Sequence, residues 1–459
     1  MKIKPRDPRS LVAIAAGTAL VLITYVTPMA TLPGTAAGLG ADAAARAWLL
    51  SAMPVGLAAG LLAAGVLGDN VGRRRVYLTG LGVLAVGSLG CAVARDSLVF
   101  VAARILEGVG GAAILACGLA ILANDFPEGR RRGHATAVWG ASVGVGISLG
   151  VVVSALLGSS RWRESYLAVG AMALILLWPT VSRIRESRAA NRRRLDVPGL
   201  ALFATAMTLI VCALTRGRDG IDVFTSVLAT AAVLALVGFV VVERRTRDPL
   251  IDPELLRHRH FRAAAIGSLT VGAGITATAS FLPTLVQVGL GAGLWTTAVL
   301  VIAWSGTSVA TSVLLLRVRR PVKGPVPITI LLVVVAVGQL FGYGLGAGSS
   351  PWRLVPSMVI AGVATGLLNA LLGREAVASV GTDRAAMGSG ANNTARYLGA
   401  AIGITLFVVI ATHVGDNLAA GWNAAVLVSA ALTLVGAGAV AVAGKPARTR
   451  ALTRATNST

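Results

Sequence analysis

The chain has 459 residues, a mean hydropathy of +0.78 and only 13% charged residues. A soluble globule keeps about 25% charged residues to face water, so a soluble fold is excluded. The net charge of +22 would point to nucleic acid in a soluble protein, but here the basic residues sit in short loops between apolar runs, and no nucleic-acid partner is expected.

A bilayer core of about 30 Å takes ~20 helical residues. Windows without any charged residue, such as 10–41, 47–68 and 76–94, meet that length, and 263–316 is long enough for two crossings. Fourteen spans are predicted. The first eight lie near 11–32, 47–68, 76–94, 98–123, 135–157, 164–182, 197–215 and 222–242. The last six lie near 263–286, 294–316, 325–345, 354–374, 388–411 and 420–442. The opening "MKIKPRDPR" resembles the start of a signal peptide. The apolar run behind it exceeds a signal-peptide core and many spans follow, so an uncleaved first span is expected.

The loops test this count. With the N-terminus inside, most of the 41 Lys and Arg fall on cytoplasmic segments, and the opposite loops keep only Arg46, Arg95, Arg161, Arg163, Arg216, Arg218 and Arg353. Positive loops stay inside, and a wrong count would flip the later loops and destroy the alternation. Both termini are therefore expected in the cytoplasm, with the chain in the inner (plasma) membrane. The spans group as six, two and six. The basic stretches at 182–196 and 243–262 separate them. The expected architecture is an all-α polytopic membrane protein: an N-terminal six-helix bundle (1–196), two linker helices (197–242) and a C-terminal six-helix bundle with a tail (243–459).

Chemistry-bearing residues are few. Between spans 2 and 3 the sequence reads "GVLGDNVGRRR" (65–75). Gly65 would let a neighbouring helix approach, Gly72 would permit a tight turn, and Asp69 is close enough to Arg73 to pair. A plain stop-transfer loop is the alternative, but it needs neither the acid nor the spaced glycines. Span 4 carries "RILEGVGGAA" (104–113), with Arg104 and Glu107 at i and i+3 on one helix. Ionisable groups inside a span are costly and usually functional. Two readings stay open: Glu107 takes up and releases a proton, or the pair is a permanent ion pair. In span 5, Gly140, Gly144, Gly146 and Gly150 have the spacing of close helix packing, although a chain with 55 glycines gives some such spacing by chance. Cys91, Cys117 and Cys212 lie in apolar stretches and do not form a disulfide framework. His258 and His260 have no other Cys or His nearby in sequence, so a solvated basic loop is the reading and no metal is expected. No P-loop is present, which argues against ATP-driven transport, and neither enzyme chemistry nor a cofactor is expected.

The stretch at 65–75 resembles the major facilitator superfamily, whose loop between spans 2 and 3 reads Gly-x-Leu-x-Asp-Arg-x-Gly-Arg-Arg. Gly65, Leu67, Asp69, Gly72, Arg73 and Arg74 match, while Asn70 replaces a basic residue. The resemblance implies a cytoplasmic gate made by Gly65, Asp69, Gly72 and Arg73, with Asp125 at the end of span 4 joining the Asp–Arg pair. "RILEGVG" is similar to the family's Arg-x-x-Gln-Gly-x-Gly, with Glu107 at the glutamine. Span 5 has Gly146-Ile-Ser-Leu-Gly150 where the antiporter branches carry Gly-Pro-x-x-Gly-Gly. "LITYVTPMATLPG" (22–34) resembles the first span of the fourteen-span drug/proton antiporters, but Thr24 stands at their aspartate and Met29 at their asparagine. That loss moves proton coupling to Glu107 with Arg104. "RRLDVPGLALF", "RDPLIDPELLRHRHF", "FLPTLVQVGLG" and "GSGANNTARYLGAAIG" extend the likeness through the later half, in the linker span, in the loop before span 9, at its end and in span 13. Asn392, Asn393 and Arg396 are read at the cytoplasmic end of span 13, where Arg396 either binds a lipid phosphate or merely snorkels to the membrane surface.

The resemblance implies a major facilitator fold and alternating access. It points to a proton-linked exporter of hydrophobic or amphipathic small molecules, with drug or antibiotic efflux as the expected role. Thr24, Met29, Trp139, Gln287 and Asn369 are the candidates for the substrate cavity. The other expected partners are protons and membrane lipids, and the chain is expected to act as a monomer. The lost aspartate and the missing span-5 proline also support a second reading: an uncoupled, lipid-handling transporter-like protein or a membrane sensor.

Overall fold

The computed structural model describes residues 8–126, 130–188, 194–217, 222–249, 255, 258–315, 324–378 and 385–445. Parts of the basic stretches near 189–193, 250–254 and 316–323 lie outside the described residues. The first bundle contains α1 (Pro8–Gly38), α2 (Ala43–Val71), α3 (Arg73–Val93), α4 (Ser97–Asp125), α5 (Arg130–Leu157) and α6 (Trp162–Arg183). The linker pair is α7 (Val197–Arg216) and α8 (Val223–Arg245). The ninth span is composite: α9 (Arg259–Val271) and α10 (Ala277–Thr284) are joined by a π turn at Gly272–Thr276, and a second π turn follows at Leu285–Gly289. Then come α11 (Leu294–Leu315), α12 (Pro325–Leu340), α13 (Val355–Ala378), α14 (Ala385–His413) and α15 (Leu418–Ala443). Thirteen of these spans are long and apolar enough to cross a membrane, and α12 is the shorter fourteenth. The fourteen-span multi-pass fold expected from the sequence is what the structure has.

The helices start where the few acids stand. Asp42, Asp96, Asp196 and Asp222 each accept a backbone N–H in the first turn of α2, α4, α7 and α8, at 2.7 to 2.9 Å. Such caps satisfy donors that a helix start leaves free. The span predicted at 325–345 stops sooner. At Phe341 and Gly342 the chain turns, and the Trp422 indole N–H donates to the Gly342 carbonyl at 2.8 Å, fixing that end.

Packing divides the helices into two sets. In the first, α4 lies between α2 and α3, and α1 packs on α5. In the second, α12 packs on α15, α11 on α13, and α9 on α14. The sets meet along α2 with α14 and along α5 with α11. Ser51 and Thr405 hydroxyls are 2.8 Å apart on the first seam, and Ser148 and Ser305 hydroxyls 2.7 Å apart on the second. The α7–α8 pair leans on α2 and α14 through α7. Only 17% of the apolar window of α8 is buried, against 83% for α2, so α8 turns most of its surface to lipid.

Candidate transport site

Three features of the fold bear on function: the α2–α3 turn, an ion pair inside the first bundle, and a cavity between the bundles. At the turn, Gly72 has φ +132°, a conformation that L side chains rarely adopt. The Arg73 guanidinium donates through Nε and Nη2 to Asp69 Oδ1 at 2.9 and 2.7 Å, and through Nη1 to the Ala120 carbonyl of α4 at 3.2 Å. Glu186, just after α6, accepts the N–H groups of Arg74 and Arg75 at 3.0 and 3.3 Å. It thereby places a carboxylate at the start of α3, where exposed N–H groups favour negative charge. A Cβ on Gly72 would lie 2.6 Å from the Glu186 carboxyl carbon, so the glycine also makes room for this cap. Asp125 is the last residue of α4, and Asn124 Nδ2 donates to its Oδ1 at 3.4 Å. The close approach expected at Gly65 falls one turn later. A Cβ at Gly65 would meet nothing within 4 Å, whereas at Gly68 it would lie 2.7 Å from Cys117 Sγ on α4, because Gly68 is the glycine that faces α4.

The second half builds a similar corner from other residues. Gly324, with φ +93°, precedes α12, and its N–H donates to Glu375 Oε1 at 3.0 Å. His260 Nδ1 lies 2.8 Å from Glu375 Oε2. The sequence stretch 317–328 has no acid of its own; α13 supplies it.

Arg104 and Glu107 are both fully buried inside the first bundle. Arg104 Nη1 donates to Glu107 Oε2 at 2.5 Å and to the backbone carbonyl of Thr24 at 3.0 Å. Ser88 of α3 donates to Glu107 Oε1 at 2.6 Å. Arg104 Nε and Nη2 have no hydrogen-bond partner among the described residues, and the guanidinium stands 6.0 Å from the Tyr166 ring centroid. Thr24 thus takes part through its backbone. Its hydroxyl donates to the Leu20 carbonyl at 2.8 Å, and its side chain does not line the cavity.

The cavity lies between the bundles and has a volume of about 80 Å³, below the ~300–1,000 Å³ typical of small-molecule sites, so in this conformation it is narrower than a drug-sized ligand. Tyr25, Met29, Trp304, Asn369, Arg396 and Tyr397 are in its wall. The first bundle contributes α1 and α5; the second contributes the ninth span, α11, α13 and α14. The polar wall residues include unpartnered groups: Trp304 Nε1, Asn369 Oδ1 and Arg396 Nε have no hydrogen-bond partner among the described residues. Trp139 and Gln287 stand outside this wall. Trp139 is half-buried against the core. Gln287 lies in the second π turn, where its Nε2 donates to the Ala30 carbonyl of α1 at 3.2 Å and ties the two halves together.

The four span-5 glycines separate by neighbour. A Cβ on Gly146 would lie 2.8 Å from Ala19 Cα, and one on Gly150 3.0 Å from Ile23 Cα, so both admit α1. Gly144 sits against Val309 of α11. Gly140 has nothing within 4 Å of a Cβ and lines the cavity instead, so packing is not what it provides.

A model of the Major Facilitator Superfamily matches residues 14–404. The chain belongs to the major facilitator superfamily. It is 30% identical over 310 residues to an uncharacterized MFS-type transporter, EfpA, of Mycobacterium tuberculosis; the match covers 62% of this chain and 58% of that protein. The chain therefore spans less than two thirds of that relative's length. It is 28% identical over 448 residues to the multidrug efflux pump LfrA of Mycolicibacterium smegmatis, covering 96% of this chain and 88% of that one. Among solved structures, a POT family transporter in complex with 5-aminolevulinic acid superposes with a TM-score of 0.68 at 13% identity, covering 95% of this chain and 96% of that chain. That likeness is one of fold. Several of the relatives are named as transporters or efflux proteins. Three residues of this member were not singled out as site residues in its sequence. Glu186 is a lone acid within a basic run, which was the available signal for it, whereas Glu375 follows the single Arg374 at the end of an apolar span. Arg396 was read as reaching to lipid, but the structure turns it into the cavity wall.

Proposed function

We propose that this major facilitator protein is a secondary exporter that moves hydrophobic or amphipathic small molecules out of the cell by alternating access, with the proton gradient as driving force. The observation that carries this reading is the cavity walled by both halves, apolar over most of its surface and, among the described residues, without a carboxylate in its lining. The name of LfrA, a multidrug efflux pump, supports drug or antibiotic efflux. In this reading the protein works as a monomer surrounded by lipid in the plasma membrane, with both termini and the basic loops in the cytoplasm. Residues 1–196 and 243–459 are the two moving units, joined by 197–242. Gly65, Asp69, Gly72, Arg73 and Asp125 form the cytoplasmic gate, and Glu107 with Arg104 carries the proton. The test is growth of a host stripped of its own efflux pumps on a panel of antibiotics. The wild type raises the inhibitory concentration of at least one compound several-fold, and Glu107→Gln and Asp69→Asn each remove that gain. No protection against any compound would overturn the reading.

One observation favours the second reading. The Arg104–Glu107 pair is fully buried and stands away from the cavity wall, which suits a permanent ion pair in an uncoupled, lipid-handling or sensing protein. Flux driven by a pH difference into proteoliposomes separates the two. Its loss in Glu107→Gln supports coupling; no flux of any panel compound, with lipid binding retained, supports the second reading.

A further inference from the structure

We propose that the central cavity selects an amphipathic anion, a flat apolar body carrying a single carboxylate, sulfonate or phosphate group, and that Arg396 is its charge partner. This inference rests on the cavity being the substrate site.

Arg396 sits eleven residues beyond the first residue of α14, about 16 Å along the axis at 1.5 Å per residue. It is half-buried and lines the cavity. A cation inside a membrane protein is costly unless it is paired or faces a water-filled space. The other inward-reaching arginines have their acids: Arg104 has Glu107, and Arg73 has Asp69. Arg396 forms no ion pair among the described residues, and its Nε has no hydrogen-bond partner. The ionisable groups that face it are the phenols of Tyr25 and Tyr397, which carry no charge at neutral pH. Among the described residues, no Asp or Glu lines the cavity. Its occupant must therefore bring the negative charge.

The remaining wall fits the rest of such a molecule. The Tyr25 and Tyr397 rings meet edge to face with centroids 6.0 Å apart, and together with Met29 and Ile147 they offer an apolar bed beside the guanidinium. Trp304, only 8% exposed, adds an unpartnered N–H donor to the same wall. A cationic amphiphile of equal size would meet like charge in a low-dielectric site, which is repulsive.

The test uses the full chain in phosphatidylcholine nanodiscs with three probes of nearly one shape: pyrenebutyrate, pyrenebutanol and pyrenylbutyl-trimethylammonium. Binding is read by energy transfer from tryptophan, with empty nanodiscs subtracted. Pyrenebutyrate is expected to bind saturably and more tightly than the other two. Arg396→Gln should weaken it about tenfold or more, the scale of a lost charge-assisted hydrogen bond, while Arg396→Lys keeps most of the affinity. Asn369→Asp leaves Arg396 in place and guards against a misfolded glutamine variant. It should weaken pyrenebutyrate several-fold and strengthen the cation. Equal binding of anion and cation, or anion binding unchanged by Arg396→Gln and Asn369→Asp alike, overturns the proposal. Adding phosphatidylglycerol to the nanodiscs identifies the source of the anion: displacement of pyrenebutyrate assigns a lipid headgroup, and no displacement assigns a free solute. Counterflow of the probes in proteoliposomes reads the transport function separately. Binding that depends on Arg396 without counterflow of any probe upholds the site and sinks the export reading. Counterflow of the cation that Arg396→Gln leaves unchanged upholds export and sinks the site.

Discussion

Glu107 and Arg104 hold each other where water does not reach, and that sets what each substitution does to stability. Removing one partner of a buried pair leaves an uncompensated charge and costs about 3–5 kcal/mol, whereas replacing both by apolar residues of similar volume is often neutral. Glu107→Gln alone and Arg104→Met alone are expected to lower the unfolding temperature of the purified protein clearly. The double variant Arg104→Met/Glu107→Leu should recover most of the loss. Additive losses in a thermal-shift series would show that the pair is not the unit that matters. The i, i+3 spacing made this pair legible in the sequence. Its surroundings were not: Ser88 comes from α3 and the Thr24 carbonyl from α1, and no pattern within α4 names a residue of another helix. Glu186 shows the same limit. A lone acid among arginines reads as topology until the fold brings it to the first N–H groups of α3.

Helices bring a different lesson, because periodicity gives the face but not the neighbour. The four glycines of α5 look alike along the chain, yet two admit α1, one meets α11 and one faces the cavity. Overpacking a tight interface costs roughly 1–3 kcal/mol, while a substitution into open space stays within about 0.5 kcal/mol. Gly146→Ala is therefore expected to destabilise the protein measurably, and Gly140→Ala to leave its unfolding temperature unchanged. Equal effects of the two would contradict the placement of α5 against α1. The ninth span carried still less of its form in the sequence. Its charge-free run predicted one span, and the structure breaks it with two π turns. In the first of these, Ser429 of α15 donates to the Gly274 carbonyl at 3.1 Å, and Gln339 of α12 donates to Ser429 Oγ at 2.8 Å. Helix deviations of this kind gather at functional sites, and Thr276 of that turn lines the cavity. The partners that sustain it lie on two other spans, which is why no local reading finds it.

At the scale of the whole molecule, span number was enough to give an all-α fourteen-span chain, since a bilayer admits few alternatives to fully hydrogen-bonded helices, while the major facilitator fold was implied by the resemblance of residues 65–75. How the halves touch depends on side chains far apart in sequence. The Ser148–Ser305 contact joins α5 and α11 near the middle of both helices. The Gln287–Ala30 contact lies nearer the ends of their spans, on the side away from the basic loops. Rocking of two rigid halves moves atoms little at a central seam and far at an end. A chain freed of Cys91, Cys117 and Cys212 can carry a thiol pair at either place, joined by a short bifunctional maleimide. Cross-linking Ala30→Cys to Gln287→Cys is expected to stop counterflow of substrate in proteoliposomes, because the proposed alternating access opens that end in one half of the cycle. Cross-linking Ser148→Cys to Ser305→Cys should leave most of the counterflow intact. Arrest by the central link with free passage under the end link would place the moving boundary at the α5–α11 seam and rule out rocking about it.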